Sequence, residues 1–126
     1  MNEKARRMKT ILLIEDNIDM SENTAEILEL ADYQVITAEN GKIGIELAAL
    51  CQPDLIISDV TMPEVDGFEV LEELRKSITV RNTPFIFLTA RTEKENMSTG
   101  MELGANAYIT KPYDGNELLR IVAKMI

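Results

Sequence analysis

The stretch Asp54-Leu55-Ile56-Ile57-Ser58-Asp59-Val60-Thr61-Met62-Pro63-Glu64-Val65-Asp66-Gly67 decides how the rest of the chain is read. A short apolar run that begins behind Pro53 and is closed by turn formers has the form of a strand buried on both faces. It delivers one carboxylate at its end, Asp59. In a parallel α/β sheet, ligands sit just beyond the carboxyl ends of the strands, so Asp59 is expected on the reactive edge and is the candidate reactive group. Met62-Pro63 blocks an immediate helix, and Asp66-Gly67 predicts a turn before the next periodic segment.

Upstream, residues 1–9 read as a charged, disordered lead-in. Residues 10–14 (Thr-Ile-Leu-Leu-Ile) form the first buried-type strand, which runs into Glu15-Asp16-Asn17. From Ile18 the period becomes helical, with Met20, Thr24, Ile27, Leu28 and Ala31 expected on one face and Glu22, Glu26 and Glu29 outside. A second strand is predicted over 33–38. Asn40 can cap a helix with the stripe Ile43, Leu47 and Leu50, and Pro53 closes that segment. Downstream, Phe68, Leu71 and Leu74 give a helical face, with Glu69, Glu72, Glu73 and Arg75 turned to water. Residues 84–89 are a fourth strand. Residues 95–103 are a weak helix containing Ser98-Thr99-Gly100, where the glycine alone costs about 1 kcal/mol. Gly104 is its plausible C-terminal cap. Residues 107–110 form a fifth strand before Lys111-Pro112, and Leu118, Ile121, Val122 and Met125 mark the last helix. Five strands alternating with five helices predict a doubly wound α/β fold, a parallel sheet covered on both faces.

Composition narrows the function classes. The 126 residues suit one domain, expected to span 10–126 after the lead-in. No apolar run approaches a membrane span, and Met1 to Lys9 lacks the apolar core of a secretion signal. A lone cysteine, Cys51, fits a reducing compartment, so a cytoplasmic location is expected, with no membrane partner. A net charge of −9 argues against direct nucleic-acid binding. The absence of histidine removes the commonest general base and the usual zinc ligand from this chain.

Four of the five strands end in a polar residue suited to one reaction: Glu15 and Asp16, Asp59, Thr89, and Lys111. With strand order 2-1-3-4-5 these strands are neighbours, and first to fifth spans roughly 14 Å before twist. Only a long side chain from strand five reaches a group centred on strand three, and lysine is such a chain. Three converging carboxylates raise one another's pKa unless a cation joins them, and Mg2+ is the natural hard-oxygen partner. With phosphate present, Asp59 is a nucleophile able to form an acyl phosphate. Lys111 would then neutralise the transferring group, and Thr89 would donate to one of its oxygens. Singly, each residue is an ordinary turn acid, strand-end hydroxyl or surface lysine; together they make one site.

The acidic pair Glu15-Asp16, Asp59-x-x-Met62-Pro63-x-x-Asp66-Gly67, Thr89-Ala90 and Tyr108-x-x-Lys111-Pro112 occur here in order and span nearly the whole chain. This pattern resembles the receiver domain of two-component response regulators, of flavodoxin-like fold. The resemblance implies that Asp59 accepts a phosphoryl group from a sensor histidine kinase or histidine phosphotransfer protein. It implies Mg2+, with Mn2+ able to substitute, held by Asp16, Asp59 and the backbone carbonyl of Thr61, with Glu15 acting through water. Thr89 and Tyr108 would be the switch residues, reshaping the face of helix four, strand five and helix five for a downstream effector protein. The weak helix at 95–103 agrees with this, being the segment most easily shifted. Lys111-Pro112 would be cis. Thr61 and Arg91 would tune the phosphoryl lifetime, toward slow loss. A stand-alone receiver is expected, and Asn106-Ala107-Tyr108 lacks the acid that winged-helix regulators often place before the tyrosine for their dimer.

Other readings fail on their own motifs. A flavin phosphate would be repelled by Glu15-Asp16. A haloacid-dehalogenase-type phosphatase needs an acid where Thr61 stands. No Gly-x-x-x-x-Gly-Lys phosphate loop occurs. A module of the same fold that signals without phosphorylation is the remaining alternative, and the complete acidic set speaks against it.

Overall fold

A computed structural model describes residues 8–126. The elements in chain order are β1 (Thr10–Ile14), α1 (Ile18–Leu30), β2 (Gln34–Ala38), α2 (Gly41–Cys51), β3 (Leu55–Ser58), α3 (Gly67–Arg75), β4 (Phe85–Thr89), α4 (Lys94–Glu102), β5 (Ala107–Thr110) and α5 (Gly115–Met125). The strands form one sheet in the order β2-β1-β3-β4-β5, with every pairing parallel. This is the doubly wound α/β architecture expected from the alternating pattern. The three central strands β1, β3 and β4 are almost wholly buried, as near-continuous apolar runs require in a sheet covered on both faces. The edge strands β2 and β5 are half-exposed.

The two faces of the sheet carry separate cores. Leu12, Ile14, Ile56, Phe85 and Phe87 pack with Val70, Leu71 and Leu74 of α3 on one side. Ile11, Leu13, Leu55, Ile57, Ile86 and Leu88 pack with Leu28 of α1 and with Leu118 and Val122 of α5 on the other. Alternate strand residues thus serve opposite cores, because successive side chains in a strand point to opposite faces.

Several local expectations are corrected. On α1 the buried residues are Ser21, Thr24, Ala25 and Leu28, whereas Met20 is exposed. Thr24 and Leu28 are buried as expected, but the small residues Ser21 and Ala25, not Met20, complete the face, and they let the helix axis approach the sheet. The same holds for α2, where Gly41, Gly44 and Ala48 are buried and Leu50 is 79% exposed. A Cβ on Gly44 would lie 2.5 Å from Ile14 Cδ1, so any side chain there would force Ile14 to shift. Asp54 lies outside β3; its carboxylate accepts from the Thr10 amide at 2.8 Å, capping the start of β1. Asp66-Gly67 is not a free turn but the start of α3. Asp66 and Glu69 form a reciprocal capping box there. Arg75 is not turned to water: its guanidinium donates to the carbonyls of Arg81, Thr83 and Gly104 at 2.8–3.0 Å.

The expectation of a disordered lead-in falls mostly on residues 1–7, which lie outside the described residues. At Lys9 the ladder has already begun, since its carbonyl accepts from the Gln34 amide. The weak helix is α4. It has no side-chain N-cap bond and ends in Leu103 followed by Gly104 at φ +105°. The Gly104 amide bonds Met101 and the Ala105 amide bonds Gly100, a Schellman closure that needs the left-handed residue glycine provides.

Candidate functional site

The carboxyl ends of β1, β3, β4 and β5 meet at one edge of the sheet, and their terminal residues build the site. Registers Ile14↔Ser58, Ser58↔Phe87 and Thr89↔Thr110 bring Glu15, Asp59, Thr89 and Lys111 to the same level, one residue past or at the strand ends. The Asp59 amide bonds the Ile14 carbonyl at 3.1 Å, which holds the β3 end beside β1. Gly67 is required here: a Cβ would sit 2.1 Å from the Asp59 carbonyl oxygen, while its amide bonds Val60 at 2.8 Å. The loop therefore folds back tightly under Asp59.

Glu15, Asp16 and Asp59 each offer one carboxylate oxygen within 4.8 Å of the others. Glu15 is buried, Asp59 half-buried and Asp16 exposed, so the cluster opens to solvent on the Asp16 side. Lys111 Nζ donates to Glu15 Oε1 at 2.5 Å and to Asp59 Oδ2 at 3.2 Å. The lysine thus reaches across to β1 as well as to β3, further than its expected range. Asp59 Oδ1 accepts from the Val60 amide at 2.6 Å and the Thr61 amide at 3.3 Å. Lys111-Pro112 is cis, as the resemblance implied.

Burial pushes the Glu15 carboxyl above the ordinary range; Lys111 pulls it partly back, and the Asp59 charge adds only a small further rise. Mutual repulsion is therefore not the main cause. Desolvation by itself would lower Lys111, but its bonds and charges to Glu15 and Asp59 outweigh it and hold the ammonium above the usual lysine value. Three hard oxygen donors around one point suit a small divalent cation such as Mg2+.

Thr89 is fully buried, and its hydroxyl accepts from the Arg91 amide at 3.2 Å instead of contacting Asp59. The Tyr108 hydroxyl donates to the Arg91 carbonyl at 2.7 Å. Both expected switch residues therefore grip the backbone of the same residue, Arg91, whose contribution here comes from its main chain. Tyr108 stacks obliquely on Phe87, with centroids 5.8 Å apart, and Gly100 of α4 lies against the same rings. Burial, then the charge of Glu93, pushes the Tyr108 phenol above its usual range. Thr61 and Arg91 line a cavity of about 330 Å³ beside Asp59, with Met62, Phe68 and Asn96.

Sequence reading missed two contributors. Asn17, whose amide bonds Glu15 Oε2 at 3.2 Å, caps α1 through its side chain. Met20 brings its sulfur to 3.8 Å from Lys111 Nζ. The cap was legible as an Asn just before a helical period. The Met20 contact was not, because it joins residues far apart in sequence.

Residues 11–123 match the family model described as response regulator receiver domain. The probable transcriptional regulator ycf29 of Pyropia yezoensis is 38% identical over 92% of this chain and 52% of its own length. The chain spans about half the length of the curated relatives it matches. The solved chemotaxis protein CheY4 of Vibrio cholerae has a TM-score of 0.89 at 31% identity, covering 94% of this chain and 99% of that one. The receiver domain of sensor histidine kinase PA1611 from Pseudomonas aeruginosa PAO1, solved with a magnesium ion coordinated in its active-site cleft, has a TM-score of 0.87 at 29% identity, covering 94% of this chain and 97% of that one. On these matches, the parallel five-stranded fold and the acidic cluster at its edge, the chain belongs to the response regulator receiver domain family of phosphoacceptor signalling domains.

Proposed function

We propose that Asp59 is the phosphoacceptor and that this domain accelerates its own phosphorylation. The observation that supports this best is one ammonium, Lys111, bonded to both Glu15 and Asp59 inside a set of three carboxylates. Asp59 Oδ2 attacks the phosphorus of a phosphohistidine on a kinase or phosphotransfer protein. The P–N bond breaks, and the imidazole leaves with its electron pair and takes up a proton. Lys111 swings one N–H to an oxygen of the transferring group, and the Val60 and Thr61 amides hold the other Asp59 oxygen in place. Glu15, Asp16, Asp59 and the Thr61 carbonyl would hold Mg2+, which when bound neutralises phosphoryl charge; Mn2+ offers the same hard-ligand chemistry.

Thr89 turns from the Arg91 amide to a phosphoryl oxygen, which loosens the Arg91 segment and releases Tyr108 from its carbonyl. The face of α4, β5 and α5 changes accordingly and is read by an effector protein. Arg91 and Thr61, lining the cavity beside Asp59, set the access of water and hence the phosphoryl lifetime. The net charge of −9 supports a protein partner over direct contact with nucleic acid. No helix among the described residues is long and apolar enough to cross a membrane, and the single cysteine supports a cytoplasmic setting.

The test is intact mass after incubation with acetyl phosphate and Mg2+. One phosphoryl group is expected on the wild type and none on Asp59→Asn. An unlabelled wild type, or equal labelling of the variant, would overturn the assignment.

A further inference from the structure

A lysine ammonium has three protons to donate, and at Lys111 two are directed to carboxylates. The third faces the sulfur of Met20 at 3.8 Å. Met20 is placed there by a closed ring of contacts. Glu15 Oε1 accepts from Lys111, and Glu15 Oε2 accepts from the Asn17 amide at 3.2 Å. Asn17 Oδ1 in turn accepts from the Met20 amide at 3.0 Å, and the Met20 sulfur returns to Lys111. The N-cap of α1 and the lysine are thereby fastened to opposite oxygens of one buried carboxylate. Met20 is 37% exposed whereas the Lys111 side chain is 7% exposed, so the thioether lies on the solvent side of the ammonium.

Resting on the phosphoacceptor reading above, we infer that Met20 is a peroxide-sensitive modification site whose unoxidised thioether covers the third Lys111 proton without competing for it. A thioether is a weak acceptor. It shields the third proton from water yet gives it up at little cost when a phosphoryl oxygen arrives. An oxygen acceptor at the same place would compete with that phosphoryl oxygen. Hydrogen peroxide creates one: a lone pair on sulfur attacks a peroxide oxygen, the S–O bond forms and the O–O bond breaks. One sulfoxide and one water result, with the sulfur oxidised and the peroxide reduced. The sulfoxide oxygen then holds Lys111 back.

The test measures the rate of acetyl phosphate labelling at saturating donor in the presence of Mg2+, with folding checked by circular dichroism. Met20→Leu keeps the cover without an oxygen acceptor and is expected within about twofold of wild type. Met20→Gln supplies an oxygen and is expected to be slower by about fivefold or more, with the half-saturating donor concentration unchanged. Peroxide treatment is expected to slow the wild type similarly, with one oxygen on the Met20 peptide, and to leave Met20→Leu unaffected. The leucine variant retains Met8, Met97 and Met101, the other exposed methionines among the described residues, as an internal control. Equal rates for the Leu and Gln variants, or equal peroxide sensitivity of wild type and Met20→Leu, would overturn the inference while leaving Asp59 as phosphoacceptor. An unlabelled wild type would remove both.

Discussion

Glu15 is the residue on which the electrostatics of the site turn. It is 6% exposed, and burial raises its pKa, so ionising it works against folding as pH climbs through its folded-state value. Lys111 has the opposite effect. Its pKa is raised by the ion pairs, so its contribution is complete below the ordinary lysine range and is lost only at strongly alkaline pH. Between these limits the pair offsets the cost of a buried carboxylate. Lys111→Ala is therefore expected to lower unfolding free energy by about 1–3 kcal/mol at pH 8 in metal-free buffer. The loss should shrink toward pH 4.5, as Glu15 takes up a proton and its need for a counter-ion falls. Urea unfolding at the two pH values checks this; a loss that grows on acidification would contradict it.

Among the elements, α3 links the site to the far end of the fold. At its start, Gly67 lies under the Asp59 carbonyl, where backbone cannot move aside as a side chain can. Gly67→Ala should cost about 1–3 kcal/mol of stability, and also slow Asp59 labelling by about tenfold or more, because the acceptor carboxylate is displaced. Equal labelling rates would show that the close approach is irrelevant to the chemistry. At the other end of α3, Arg75 ties together three carbonyls from the α3–β4 and α4–β5 connections. Arg75→Ala should lower unfolding free energy by about 1–3 kcal/mol. Arg75→Lys should recover less than half of that in thermal or urea unfolding, since an ammonium cannot reproduce the planar fork.

At the scale of the whole molecule, the sheet edge divides into a holding part and a moving part. Asp59 and its loop are pinned by the capping box and by Gly67, whereas α4 starts without a side-chain cap and rests on Phe87 through Gly100. Hydrogen exchange with acetyl phosphate and Mg2+ should therefore change most across residues 91–110 and little in α1 or α2. A uniform change over all helices would argue against a localised switch. Charge is divided as well: Lys42 is the one basic residue between positions 10 and 74, and of the other twelve, eight lie from Arg75 onward and four in residues 1–9.

The sequence alone determined the fold and the membership of the site. Near-continuous apolar strands alternating with helical segments point to a parallel sheet between helices, and the register of such a sheet brings Glu15, Asp16, Asp59, Thr89 and Lys111 to one edge. The Asn40 cap was legible because it depends on neighbours a few residues away; the Asn17 cap and the capping box of Asp66 and Glu69 are equally local, but the turn reading of Asp66-Gly67 passed over the box. The periodic faces of α3 and α5 were legible, but only the tertiary structure decided which residues of α1 and α2 lie deepest. Hydrophobicity favours Met20 or Leu50, but close packing favours Ser21, Ala25, Gly44 and Ala48, and a sequence does not state how near a helix lies to its sheet. The same holds for the partners of Lys111, Tyr108 and Arg75. Their bonds run to groups far away in sequence, often backbone carbonyls, which every residue has and which no residue pattern distinguishes.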